Sequence, residues 1–242
     1  MFDAWPRTSG IDVTKSRGQA KSCLQSRIAR SPTGRAGRQL ARLIGRPEWP
    51  DPVVLGLARG GVPVAAEVAR ELGAPLDVAV SRKIGAPGHP EFGVGAVTAD
   101  GPPYYDVDTL RRLGLSPADL EQTCEAERAE ARRRLRRYHG DREPVASSGR
   151  DVLLVDDGLA TGVTATAALR ALRQAEPRRL VFATPVCAVR APEMLRDEAD
   201  DVLCLVEPEE FRAVGQWYVD FSQTSDEEVV SLLGGFGDRR TW

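Results

Sequence analysis

The chain has 242 residues, which is enough for one α/β domain with additions or for two small domains. Its 33 basic and 35 acidic residues give a formal net charge of −2, so the overall charge does not indicate a nucleic acid or an anionic membrane as partner. No apolar run reaches the roughly 18 residues that a membrane-spanning helix needs, and we therefore expect no membrane partner.

The cysteines and histidines show no pattern of a metal site. None of the cysteines belongs to a CxxC pair, and we expect reduced thiols in a cytoplasmic protein. They are Cys23, Cys124, Cys187 and Cys204. The two histidines, His89 and His139, lack metal-ligand spacing, which argues against structural zinc. The ligands of any other metal are left unassigned.

Residues 1–34 are predicted to form a basic, disordered and solvated tail. From Val13 to Pro47 the chain has nine Lys or Arg and no Asp or Glu, and no apolar stretch of the secretory type is present. An Arg- and Ser-rich transit peptide is the alternative. Apolar residues at helical spacing in GRAGRQLARLI, at 34–44, indicate where the folded part starts.

A strand, a helix and a second strand are predicted after Pro52. The continuous apolar run at 53–57 is typical of a strand buried on both faces. ARGG then forms a turn, and apolar residues at helical spacing from Val62 to Leu72 predict a helix that Gly73 ends. LDVAVS, at 76–81, predicts the second strand.

A long loop is predicted between this strand and the next. RKIGAPGHPE, at 82–91, has two glycines and two prolines, and we expect residues 84–91 to form a mobile lid. His89 lies in this loop, where we expect a surface histidine, with a contact to a bound acceptor as the alternative. FGVGAVTAD, at 92–100, predicts the third strand, and a short helix is expected at 108–113.

A long helix is predicted from Ser116 to about Tyr138. Ser116 suits the N-cap and Pro117 the first helical position, and the apolar residues that follow fall on one face. The basic run RRRLRR, at 132–137, is interpreted as a solvated face paired with the preceding glutamates. A nucleic-acid surface is the alternative.

The remaining elements predict the fold class. DVLLVDDGLATGVTATAALRAL, at 151–172, reads as strand, turn and helix, and a strand, a short helix and a final strand follow by residue 208. The order of elements predicts an α/β fold with an open, mostly parallel, twisted sheet. Residues 207–242 are predicted to form a small C-terminal hood or tail that packs on the core or an interface.

This tail concentrates aromatic residues, which most often belong to a core or an interface. They are Phe211, Trp217, Tyr218 and Phe221. The alternative is that Trp217, Tyr218 and Phe221 cover a planar ligand. Thr224 or Ser225 is expected to cap a helix.

Two unusual loops follow strands that we expect to be neighbours, and ligands bind beyond the carboxyl ends of such strands. LARGG follows the first strand and DDGLATGVT the fourth. Asp156 and Asp157 suit the vicinal hydroxyls of a sugar, and Mg²⁺ or donor hydroxyls would relieve their repulsion. ATGVT, at 160–164, begins a helix and offers backbone N–H groups and two hydroxyls to a phosphate. The pattern indicates a ribose 5-phosphate site.

VLLVDDGLATGVT, at 152–164, resembles the phosphoribosyl pyrophosphate motif of type I phosphoribosyltransferases, with one departure at Gly158, where an apolar residue is usual. The resemblance implies that the ribose 5-phosphate site comprises Asp156, Asp157, Gly158, Ala160, Thr161, Gly162, Val163 and Thr164. LARGG is similar to the pyrophosphate loop of that family, and RK to the start of its catalytic loop in adenine-type members. The implied pyrophosphate contacts are Ala58, Arg59, Gly60, Gly61, Arg82 and Lys83.

The resemblance covers about residues 35–206 and implies the type I phosphoribosyltransferase fold for this core. It implies Mg²⁺-dependent transfer of ribose 5-phosphate from phosphoribosyl pyrophosphate to a nucleobase-like acceptor, commonly by a homodimer. The implied catalytic residues are Asp156, Asp157, Arg82 and Lys83. The tail AVGQWYVDFSQTSDEEV looks like that of a bacterial subgroup with no settled acceptor.

Two other functions remain open at this point. A non-catalytic regulator could sense phosphoribosyl pyrophosphate and bind nucleic acid through the helix at 128–137. An accessory domain could bind a nucleotide for a partner enzyme. The positive side chains of Arg59, Arg82 and Lys83 and the predicted lid suit a departing pyrophosphate, which favours the enzyme.

Overall fold

The computed structural model describes residues 33–45, 49–219 and 221–236, so the tail predicted for 1–34 lies almost wholly outside the described residues. In chain order, the helices are α1 (Thr33–Ile44), α2 (Gly61–Leu72), α3 (Val107–Leu113), α4 (Glu121–His139), α5 (Val163–Arg173), α6 (Ala191–Met194) and α7 (Asp226–Gly234). The strands are β1 (Pro52–Leu57), β2 (Leu76–Ala79), β3 (Ser81–Ala86), β4 (His89–Thr98), β5 (Tyr104–Tyr105), β6 (Asp151–Val155), β7 (Arg179–Val186) and β8 (Asp201–Val206).

The main sheet has five parallel strands in the order β2-β1-β6-β7-β8. From β1 the chain continues to β2 on one side of the sheet, and from β6 it continues to β7 and β8 on the other side. The strand order therefore reverses between the neighbours β1 and β6. Ligands bind at such a reversal, beyond the carboxyl ends of the strands. The predicted α/β fold with a mostly parallel sheet is confirmed, and so is the pairing of the first and fourth predicted strands.

Helices cover both faces of this sheet, because its central strands carry apolar side chains on each face. On one face α1, α2 and α7 pack through buried residues such as Leu40, Val68 and Leu233. On the other face α5 and the segment after α6 contribute Leu169 and Leu195. The parallel sheet is therefore a rigid support for the loops at its carboxyl edge.

A separate antiparallel sheet, in the order β3-β4-β5, corrects two sequence predictions. The prediction of a long loop at 82–91 is wrong, because β3 and β4 form a hairpin in which only residues 87 and 88 separate the strands. The strand predicted at 92–100 belongs to this hairpin and not to the parallel sheet. Gly85 sits where the pairing register shifts, and a Cβ there would lie 2.5 Å from the Pro90 carbonyl oxygen.

The predicted cap at Ser116 is confirmed, although a 3₁₀ turn at Pro117–Leu120 precedes the α-helix, and of the two predicted caps in the tail the structure has Ser225. The Asp119 carboxylate accepts hydrogen bonds from the backbone N–H and the hydroxyl of Ser116, at 2.8 and 2.7 Å, before a 3₁₀ turn that leads into α4. The Ser225 hydroxyl accepts from the Glu228 N–H at 3.1 Å and caps α7. Within the described ranges, no helix is both long and apolar enough to cross a membrane.

Candidate active site

The loops after β1 and β6 are in direct contact at the carboxyl edge of the sheet. A Cβ on Gly60 would lie 1.8 Å from Asp157 Oδ2, and one on Gly61 would lie 2.4 Å from the Val155 carbonyl oxygen. Only glycine allows the two backbones to approach this closely. The peptide bond between Ala58 and Arg59 is cis. The two loops singled out in the sequence therefore form one site.

The two acids of this site are close to each other and largely removed from water. The Asp157 N–H donates to Asp156 Oδ1 at 2.9 Å, and both side chains belong to residues that are only partly exposed. Burial and then the negative charge of Asp157 raise the pKa of Asp156 well above its ordinary value. Burial raises the pKa of Asp157 to about 6. A bound cation or several hydroxyl donors would stabilise the ionised pair.

The turn after the acids starts α5 without a side-chain cap. Gly162 has a φ of 70°, in the left-handed region, and it has no side chain to cap the helix, whose first turn contains no acid. The first N–H groups of a helix lack partners within the helix and attract anions. Thr161 is exposed and Thr164 is half-buried, so solvent reaches both predicted donor residues.

A small cavity joins the two loops to the C-terminal tail. It has a volume of about 190 Å³. It is lined by Arg59, Gly60, Asp157, Phe221, Ser222, Gln223 and Thr224. Pockets for drug-sized ligands start at roughly 300 Å³, so this cavity is smaller than a usual ligand pocket. The phosphate turn at 160–164 does not line it.

The tail packs closely on the loop after β6, which carries Asp156 and Asp157. The Tyr218 hydroxyl donates to the Asp157 carbonyl oxygen at 2.6 Å, and the Tyr218 and Phe221 rings stack at 5.4 Å. A Cβ on Gly158 would lie 2.4 Å from Val214 Cγ1. Val214 from the tail therefore occupies the space that the usual apolar side chain at position 158 would fill. This explains the one departure of the motif.

A protein-family model described as "Phosphoribosyl transferase domain" matches residues 34–222, which is most of the chain. The chain belongs to the phosphoribosyltransferase family. The identification of the family from the acid pair and the phosphate turn is thereby confirmed. The match also continues past residue 206, where the sequence analysis ended the core.

Relatives from this family share much of the sequence of the chain. Two Mycobacterium tuberculosis proteins, MT0597 of strain CDC 1551 and Rv0571c of strain H37Rv, are each named "Putative phosphoribosyl transferase" and are 43% identical over 200 residues. The match covers 83% of the chain and 45% of each relative, so the chain spans about half their length. The crystal structure of TT1426 from Thermus thermophilus is 43% identical, with a TM-score of 0.73, and the match covers 86% of this chain and 99% of that one.

Three residues predicted from the sequence lie elsewhere and do not line the cavity. Arg82 Nε donates to Glu127 on α4 at 2.8 Å, and Lys83 Nζ donates to the Glu91 carbonyl oxygen at 2.8 Å. His89 lines a separate apolar depression at the tip of the β3–β4 hairpin. The roles assigned to Arg82 and Lys83 from the resemblance stay predictions.

The basic run on α4 is paired with carboxylates. Arg133 and Arg134 both contact Glu130, at 2.7 Å in each case, and these hydrogen bonds help to lower the pKa of Glu130 to about 2. Arg132 lies 3.6 Å from Asp100. These pairs support the interpretation as a solvated, ion-paired face. They offer no observation in favour of a nucleic-acid surface.

Two residues of the tail were missed as site residues in the sequence analysis. The Arg59 Nη2 group donates to Gln223 Oε1 at 3.1 Å, and Arg59 Nη1 lies 3.7 Å from Asp226 Oδ1. The polar run SQTSDE was read only as a helix start. Its position directly after the aromatic cluster was the one available signal.

Proposed function

We propose that this protein transfers ribose 5-phosphate from phosphoribosyl pyrophosphate to a nitrogenous base and releases pyrophosphate. The observation that carries the proposal is the contact between the Asp157 carboxylate and the Gly60 backbone. It brings one member of the acid pair to the same cavity as Arg59 of the LARGG segment, which we call the arginine loop. The nucleobase acceptor and any homodimer come from the family resemblance. The division into a core at 35–206 and a tail at 207–242 is part of the same proposal.

In this proposal, one set of residues binds the sugar phosphate and another set binds the leaving pyrophosphate. Asp156 and Asp157 hold the ribose hydroxyls, and the turn at 160–164 binds the 5-phosphate, which fixes the anomeric carbon for attack. Displacement builds negative charge on the pyrophosphate. Arg59, which borders the cavity, neutralises that charge. Arg82 and Lys83 are proposed to contribute further positive charge when the ligand is bound.

A magnesium ion fits this site only as an ion shared with the substrate. Within the described residues there is no group of three or more His, Cys, Asp or Glu side chains that could hold a metal. The acid pair supplies two carboxylates with raised pKa values, and a cation beside them would favour their ionised forms. When bound, Mg²⁺ supplies positive charge to the pyrophosphate.

The tail is the proposed wall for the acceptor base. Phe221 is 45% exposed, stacks on Tyr218 and borders the cavity, so it is the aromatic residue best placed to meet a planar ring. Tyr218 is buried and Trp217 packs in the same cluster, which favours a structural role for both. Of the three predicted stacking residues, we retain Phe221.

The direct test is a pyrophosphate-release assay with Mg²⁺, phosphoribosyl pyrophosphate and a pool of purine and pyrimidine bases. We expect release above background with at least one base. In parallel, phosphoribosyl pyrophosphate with Mg²⁺ should raise the melting temperature, since a ligand at 100 times its Kd stabilises by about 2.7 kcal/mol. Asp157→Asn should abolish most of that shift.

Asp108→Asn is the matched control for this test. It makes the same chemical change on α3, where the Asp108 side chain is 75% exposed and pairs only locally with Arg111. Its ligand-induced shift should equal that of the wild type. Tight binding without release from any base would replace the enzyme by a sensor of phosphoribosyl pyrophosphate, and an unchanged shift in Asp157→Asn would remove Asp157 from the site.

A further inference from the structure

The polar segment at 222–226 lies against the arginine loop. Gln223 and Asp226 contact the two terminal nitrogens of Arg59, at 3.1 Å to Nη2 and 3.7 Å to Nη1. The Arg59 side chain is 30% exposed, so its guanidinium reaches the cavity while these contacts hold it. Neither contact belongs to the two loops that the family motif covers.

Asp226 is a fixed negative charge. Its side chain is 13% exposed, and it accepts from the Tyr138 hydroxyl at 2.7 Å and from Arg137 at 2.9 Å, both on α4. The Tyr138 hydrogen bond and the nearby arginines lower the pKa of Asp226, which keeps it ionised. Its place in the first turn of α7 also favours a negative charge. Asp226 therefore keeps two hydrogen-bond donors, Tyr138 and Arg137, whether or not Arg59 contacts it.

The two contacts restrict the orientation of a long side chain. An arginine has five N–H donors in a planar fork, and partners at both terminal nitrogens fix the plane of that fork. Gln223 accepts from one terminal nitrogen and Asp226 lies near the other, so further N–H donors of Arg59 remain for an anion. A group that is oriented before its ligand arrives loses less conformational freedom on binding.

We propose that Gln223 and Asp226 are positioning residues that orient Arg59 toward the leaving pyrophosphate, which makes the C-terminal segment part of the pyrophosphate subsite. The inference rests on the proposed function, because it takes Arg59 as a ligand of pyrophosphate. It assigns to the tail a role that differs from covering the acceptor. The ribose 5-phosphate turn at 160–164 is a separate subsite that these residues do not contact.

The experiment is a pair of calorimetric titrations, one with inorganic pyrophosphate and Mg²⁺ and one with ribose 5-phosphate. Gln223→Leu and Asp226→Asn should each weaken pyrophosphate binding about five- to tenfold, the effect of losing one hydrogen bond or ion-pair contact. Ribose 5-phosphate binding should stay unchanged. Gln223 is exposed, so Gln223→Leu tests the proposal even if Asp226→Asn perturbs the packing of α7.

Glu227→Gln is the matched control. It removes the same charge from the next residue of the same turn, and Glu227 pairs with Arg137 and not with Arg59. Pyrophosphate affinity should match the wild type. In an Arg59→Ala background, Gln223→Leu and Asp226→Asn should cause no further loss, because residues that act through Arg59 are coupled to it.

The possible failures are distinguishable. If Arg59→Ala binds pyrophosphate as the wild type does, the proposed pyrophosphate subsite falls and the inference falls with it. If Arg59→Ala weakens binding but Gln223→Leu and Asp226→Asn do not, only the inference is overturned. Tighter pyrophosphate binding in Asp226→Asn would show competition for Arg59, and an equal loss for both ligands would show a structural effect; either result overturns positioning.

Discussion

Asp156 and Asp157 bind protons more tightly in the folded chain than free aspartates do. Burial raises the pKa of Asp157 from 3.8 to about 6 and that of Asp156 also upward. Between pH 3.8 and about 6, Asp157 binds more protons in the native state than in the unfolded state, so its ionisation lowers stability as pH rises through this range. The ligand-free site is destabilised at neutral pH by the same charges that a ligand would use.

Asp157→Asn should therefore stabilise the ligand-free protein at pH 8 by about 1–3 kcal/mol, since one pKa unit corresponds to about 1.4 kcal/mol. Urea unfolding at pH 5 and pH 8 measures the effect. The gain over the wild type should shrink toward pH 5, where Asp157 is largely protonated. A variant that is less stable than the wild type at pH 8 would show that the pair is not destabilising.

Gly158 offers a second test at this scale. Gly158→Ala should destabilise the protein by about 1–3 kcal/mol, because the new methyl group would overlap Val214 Cγ1 at 2.4 Å. Gly158→Ala with Val214→Ala should recover most of this loss, since Val214→Ala removes the two overlapping methyl groups. Thermal melts of the four proteins form a double-mutant cycle. Additive losses would indicate that the loop, and not the tail, adjusts.

The secondary structure elements that could be predicted are those whose signal is local. Apolar runs located β1 and β6, and caps located the starts of α4 and α7. The strand at 92–100 was predicted, but the β3–β4 hairpin could not be, because the two glycines and two prolines at 82–91 normally indicate a loop. In the folded chain, Gly85 is needed for a close approach to Pro90 across the hairpin. That contact is a property of the pair of strands and leaves no periodic pattern in either one.

Helix α7 is held by its buried residues. Leu233 is fully buried in the cluster that also contains Val68 of α2, whereas Val230 in the same helix is 40% exposed. Leu233→Ala should lower the free energy of unfolding by about 2–4 kcal/mol, and Val230→Ala by less than about 0.5 kcal/mol. Urea unfolding compares the two. Equal effects would mean that α7 does not contribute to the core.

Across the whole molecule, the motif residues of the site could be predicted and their partners could not. The acid pair, the phosphate turn and LARGG lie within short segments, and the adjacency of β1 and β6 follows from the strand order. The contact of Arg59 with Gln223 joins residues 164 positions apart. Such a contact depends on the path of the tail over the sheet, and no short segment of the sequence specifies that path.

The distance along the chain between Arg59 and Gln223 has a consequence during synthesis. At about 5–20 residues per second, the 164 residues from Gly60 to Gln223 take roughly 8–33 s to make. Through that interval the growing chain contains the arginine loop, and later the acid pair, without the wall formed by the tail. Under the proposed function, the nascent polypeptide should therefore acquire its full affinity for phosphoribosyl pyrophosphate only after Asp226 has been synthesised.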